Sequence, residues 1–177
     1  MSDTKVITGK VRFSYVQVFE ARASQEGGTP KFSTALLIPK GDVKTLEAIK
    51  SAIKIAYEEG RAKYGGKLPP VWNNPLRDGD QERPDNEEYV GHYFINANSY
   101  RRPGVVDVNL NPILEQEEFY SGCYGRASVN FYAFNTNGNK GVACGLNNVQ
   151  KLADGERLSG GSSPEEDFGA AKDTDLF

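Results

Sequence analysis

Aromatic and cationic side chains share strand faces in this sequence. In Tyr124–Phe134 (YGRASVNFYAF), alternation puts Tyr124, Arg126 and Tyr132 on the polar face, with Ala127, Val129, Phe131 and Ala133 opposite. Arg12 and Tyr15 come from an N-terminal strand, on opposite faces if that strand is regular. Lys31 opens the next strand. Tyr100, Arg101 and Arg102 sit at a turn, and Trp72 and Arg77 in a long loop. Single-stranded nucleic acid uses this mixture: bases stack on rings while cations track the phosphates. The same tyrosines also suit packing on a half-buried sheet, and Trp72 also suits a loop anchor.

Other chemistries find less support. Asp78, Asp80, Glu82, Asp85, Glu87 and Glu88 are oxygen ligands of the kind hard cations take. Their spacing matches no Ca²⁺ loop, and a solvated acidic loop is the plainer reading. His92, Cys123 and Cys144 are scattered, with no CxxC pair, so neither a zinc site nor a cofactor is expected. The run Gly141–Gly145 lacks the Lys-Ser or Lys-Thr of a phosphate-binding loop. No catalytic residue is assigned. The competing readings are a metal-dependent nuclease or resolvase using the 78–88 loop, and an adaptor protein that ignores DNA.

The net charge of −3 is not basic, but its distribution matters more than its sum. Residues 160–177 carry Glu165, Glu166, Asp167, Asp173 and Asp175 against Lys172, a net of −4. The remainder of the chain is therefore at +1. A near-neutral body has room for a basic face balanced by acidic loops. The acidic terminal segment, ending Asp175-Leu176-Phe177, offers carboxylates that mimic phosphates and an aromatic residue for a partner's pocket. An ordinary charged terminus has the same composition.

These residues need a scaffold, and 177 residues suffice for one domain with a core. Residues 6–19 read as one long strand, with Ile7, Val11, Phe13 and Tyr15 on a common face. The phase blurs at Val16 and Val18, where a bulge or burial of both faces is expected. Residues 31–38 make the second strand of an antiparallel hairpin. A helix is expected over 42–64, with Asp42 as N-cap and a stripe of Val43, Leu46, Ile49, Ile53, Ala56 and Tyr57. Gly60 frays its end, and Gly65-Gly66 stop it. Residues 66–90, with four prolines, form a long irregular loop. Strands follow at 92–100, 105–110, 124–134 and 141–146. An Asn-Gly turn joins the last two.

The fold class expected is mainly β: an OB-like, five- or six-stranded antiparallel barrel with one main helix and a long irregular loop. Residues 1–158 are the domain; 159–177 are too polar to bury a core and are expected to be disordered. The two cysteines are expected reduced, and there is neither a signal peptide nor an apolar span of membrane length. A cytoplasmic location is expected.

The run SGCYGRASVNFYAFNTNGNKGVACGLNNVQKLADGERLSGG, beginning at Ser121, resembles the C-terminal core of a family of bacteriophage single-stranded-DNA-binding proteins. So do NPLRDGDQER (Asn74–Arg83), GHYFINANSYRRPGVVD (Gly91–Asp107) and the opening KVITGKVRFSYVQVFEA. Together these cover residues 5 to 161. The resemblance implies an OB-fold that binds single-stranded DNA with little sequence preference in phage replication or recombination, in the host cytoplasm. It also implies a tail that competes with DNA and meets replication or recombination proteins, carried over to Asp173, Asp175 and Phe177. On this reading DNA crosses the face bearing Tyr124, Arg126 and Tyr132. Lys31, Arg101 and Arg102 neutralise phosphates, Trp72 or Tyr100 stacks on bases, and Arg12 and Arg77 add charge. A homodimer is a further option that the sequence leaves open.

Overall fold

The structure, a computed structural model, describes residues 4–23 and 28–158. Its strands are β1 (Lys5–Ile7), β2 (Val11–Arg22), β3 (Lys31–Pro39), β4 (Arg77–Asp78), β5 (His92–Ser99), β6 (Gly104–Val106), β7 (Tyr124–Thr136) and β8 (Asn139–Ala153). Its helices are α1 (Val43–Glu59) and a single turn, α2 (Gly79–Glu82). The five long strands close a circuit: β2 pairs with β3, β3 with β5, β5 with β8, β8 with β7, and β7 again with β2. This is the OB-like architecture expected, with two refinements. Three short strands bring the number among the described residues to eight, and β8 runs parallel to both β5 and β6.

The closed circuit shields one face of every long strand, so alternating apolar residues fill its interior. Phe13, Leu36, Ile38, Ile95, Ala97, Val129, Phe131, Val142, Cys144 and Val149 belong to one buried cluster. Helix α1 joins it through Leu46, Ile49, Ile53 and Ala56. Asp42 accepts a hydrogen bond from the Thr45 amide at 3.2 Å and so starts the helix as expected. Gly60 ends it. Val43 departs from the expected stripe. At the first helical position it precedes the turn that meets the barrel, and it is exposed.

Strand β2 departs further from its sequence reading. The strand is interrupted at residues 8–10, so β1 and β2 are separate; Val6 is buried and Ile7 exposed, the reverse of the expected phase. Between Ser14 and Gln17 three steps along β2 oppose two along β3, from Ala35 to Ser33. This is the β-bulge expected from the blurred phase at Val16 and Val18; it turns Tyr15, expected on the face of Phe13, outward and returns Val18 to the core. The strand expected over 105–110 is also shorter. The Asp107 carboxylate accepts from the amides of Asn109 and Asn111, and Leu110 takes a φ of +67°, so the chain turns after Val106.

The hairpin of β7 and β8 follows its sequence. Asn137 and Gly138 take φ of +51° and +88°, the left-handed pair that a two-residue hairpin turn requires. The 66–90 loop is pinned at several points. Lys40 pairs with Asp78 at 2.8 Å and Asp80 at 2.6 Å, and Asp80 also accepts the Gly91 amide. The ammonium holds both carboxyls below their usual range. Cys123 and Cys144 are free thiols, and burial pushes both up. No helix among the described residues is long and apolar enough to cross a membrane. The expectations for the acidic segment lie outside the described residues.

Candidate nucleic-acid interface

The outer face of β3 and β5 follows from their pairing. Ser33 lies opposite Asn98 and Ala35 opposite Asn96, with Leu36 and Ile95 turned inward. Side chains two apart share a face about 7 Å apart. Asn96, Asn98 and Tyr100 therefore project in one row, with Lys31 beside its end. The Lys31 ammonium lies 5.3 Å from the centre of the Tyr100 ring, which is 65% exposed. Arg22 lies opposite Lys31 on β2. Arg101 and Arg102 follow Tyr100 and are exposed, Arg102 lying 6.0 Å over the ring of Phe19.

The row continues across the sheet. Asn98 pairs with Gly145 on β8, and Gly145 with Asn130 on β7. Gly145 has no side chain to stand in the way of Tyr132, whose ring lies over it. Tyr132 is 43% exposed; burial raises its hydroxyl pKa, with smaller contributions from Cys144 and Tyr100. Two tyrosine faces and a set of cations thus meet at one end of the barrel. Such a surface can stack bases and hold the phosphates between them.

The ten candidates read from the sequence fall in three places. Lys31, Tyr100 and Tyr132 come together as just described, and Arg101 and Arg102 follow Tyr100 in the chain, both exposed. Tyr124 and Arg126 lie eight and six residues back along β7, about 26 and 20 Å from Tyr132, and Arg12 lies opposite Tyr124 on β2. There Lys10 and Arg12 sit 5.1 and 5.3 Å from the Tyr124 ring. Arg12 spends donors on the carbonyls of Gly122 and Glu156, and Arg126 on the side chain of Gln150. These bonds make Arg12 a strap across the chain leaving β8.

Trp72 and Arg77 lie elsewhere. Trp72 stacks on Tyr57 at 4.6 Å and packs against the core, which anchors the loop. Arg77 pairs with Glu82 and covers Phe94. The sequence reading passed over Phe19, Arg22, Asn96 and Asn98. Alternation in HYFINANS could have found the two asparagines; Phe19 and Arg22 follow the bulge, where alternation fails.

The acidic loop does not assemble a metal centre. Asp78 and Asp80 are occupied by Lys40, and Glu82 by Arg77. Among the described residues, no three His, Cys, Asp or Glu side chains are grouped to hold an ion.

Comparison with known proteins bears on family and fold. The family model described as "Enterobacter phage Enc34, ssDNA-binding protein" matches residues 4–177. A putative protein p50 from Acyrthosiphon pisum secondary endosymbiont phage 1 is 36% identical over 187 residues, covering 98% of each chain. The single-stranded DNA-binding protein of bacteriophage Enc34, solved in complex with ssDNA, superposes with a TM-score of 0.79 at 25% identity. The match covers 89% of this chain and 91% of that one. The single-stranded DNA-binding protein gp2.5 of bacteriophage T7 shares the fold, with a TM-score of 0.63 at 13% identity over 98% and 97% of the two chains.

Proposed function

We propose, from the premise that this chain belongs to the family of the Enterobacter phage Enc34 ssDNA-binding protein, that it binds single-stranded DNA without sequence preference during phage replication or recombination. The family is one of binding proteins, not enzymes. The observation that carries the reading is the proximity of two exposed rings, Tyr100 with Lys31 over it and Tyr132, on the outer sheet face, with the exposed Arg101 and Arg102 next in the chain after Tyr100. β3 and β5 are the second and third long strands, and the outer face of that pair is where OB-folds take oligonucleotides. Rings there stack on any base, so affinity needs no sequence. Tyr124, with Lys10 beside its ring, and Arg126 offer a second, separate patch toward the far end of β7, where Arg12 serves as the strap.

The acidic segment is the second part of the proposal. Its five carboxylates against one lysine give it the charge to displace phosphate from the basic face. Asp173, Asp175 and Phe177 would meet replication or recombination partners in the host cytoplasm.

The test is an anisotropy titration of labelled oligo(dT) with the full chain and with a chain lacking residues 160–177. The full chain is expected to bind with a log affinity that falls linearly with log salt. The shortened chain is expected to bind about tenfold tighter at low salt, converging with the full chain as salt screens the tail. Equal affinities at low salt would reject tail competition. No binding by either chain would reject the function.

A further inference from the structure

The bulge in β2 leaves Tyr15 at a φ of +49°. This is the left-handed region, which a bulky residue occupies only when its surroundings enforce it. Three contacts do so. The Thr34 hydroxyl donates to the Ser14 carbonyl at 3.1 Å, the Tyr89 hydroxyl donates to Ser14 Oγ at 3.4 Å, and the Val16 amide donates to Ser121 Oγ at 2.9 Å. The result is a ring 54% exposed at the edge of a groove of about 310 Å³.

The groove is lined by Tyr15, Ser33, Arg83, Phe94, Asn96 and Asn98. Its floor is aromatic: Phe94 meets Tyr89 edge-on at 5.1 Å, and the Arg83 guanidinium lies 5.3 Å over Phe94. The side chains of Asn96 and Asn98 make no hydrogen bond to another described residue, so their amides are open to a ligand. The same row of β5 leads directly to Tyr100, which makes the groove continuous with the aromatic and cationic cluster.

We propose that this groove is a nucleobase subsite for single-stranded DNA. The Tyr15 ring stacks on one base, the amides of Asn96 and Asn98 meet its polar edge, and Arg83 holds the adjoining phosphate. An amide both donates and accepts, so purines and pyrimidines are taken alike. The strained backbone at Tyr15 is what presents the ring to the base. The inference rests on the single-stranded-DNA reading above and adds to it where a base is held.

The experiment compares Tyr15→Gly and Tyr15→Phe with the parent by oligo(dT) anisotropy across a salt series and by thermal melting. Glycine adopts the left-handed conformation without strain, so the melting temperature of Tyr15→Gly should stay within a few degrees of the parent. Its affinity should fall roughly tenfold through loss of one stacked base. The salt slope should not change, because no phosphate contact is removed. Tyr15→Phe keeps the ring and should bind like the parent. The proposal is overturned if Tyr15→Gly binds within twofold of the parent, or if its loss comes with lowered melting or a shallower salt slope. A parent that binds no oligonucleotide at low salt would overturn the DNA reading itself, a separate result.

Discussion

Replacing Tyr100 and Tyr132 together with alanine is expected to weaken oligo(dT) binding by about 3 kcal/mol, roughly a hundredfold. The two rings stand at the end of one outer face, and both keep much of their surface open to solvent. Each is positioned to stack on a separate base, a contact worth roughly 1–3 kcal/mol. The folded state needs them little. Tyr100 packs mainly under the Lys31 ammonium, and Tyr132 lies over Gly145. The double variant should therefore melt near the parent while binding much more weakly. Binding within twofold of the parent would show that bases are held elsewhere.

The second large effect concerns the scaffold. Phe13→Ala is expected to cost about 4 kcal/mol of stability, since removing a fully buried phenylalanine loses both its transfer energy and its packing. Phe13 is 0% exposed, and its ring lies 4.8 Å from that of Phe119. Its backbone also joins β2 to the chain before β7, donating to the Cys123 carbonyl and accepting from the Gly122 amide. It thus sits where the circuit of strands closes. For a chain of this size the melting temperature should drop by roughly 10 °C. A urea titration giving a loss below about 1 kcal/mol would contradict the packing described.

Local features of the fold were legible in the sequence, and the features set by distant partners were not. The α1 stripe from Leu46 onward, its Asp42 cap and the Asn137-Gly138 turn each depend on neighbours within a few residues, and each formed as read. The face of Tyr124–Phe134 also followed its alternation, with Val129 and Phe131 buried and Tyr132 exposed. Strand β2 showed its bulge in the blurred phase at Val16 and Val18 but not which residue it turns outward: one extra residue after Ser14 inverts the phase, and the Thr34, Tyr89 and Ser121 contacts that hold it come from other parts of the chain. The parallel pairing of β5 with β8 joins residues almost fifty apart, which no local pattern specifies.

The candidate site divides along the same line. Lys31 and Tyr100 were each visible as residue types, but their contact depends on the register between β3 and β5. Trp72 has the chemistry of a base platform; its stack on Tyr57, reached from α1, gives it to packing. Arg12 has the charge for a phosphate and spends it on the carbonyls of Gly122 and Glu156. Residue type proposed the chemistry, and the strand register decided which side chains share a surface.

The most direct test is a side-by-side titration of labelled oligo(dT) and a duplex of equal length, at about 50 and 200 mM salt, with residues 160–177 present and removed. Unstacked bases are available only in the single strand, so it should bind at least about tenfold tighter than the duplex, and both should weaken as salt rises. Equal affinity for the two, or no retention of oligo(dT) in dilute buffer even by the shortened chain, would contradict the account.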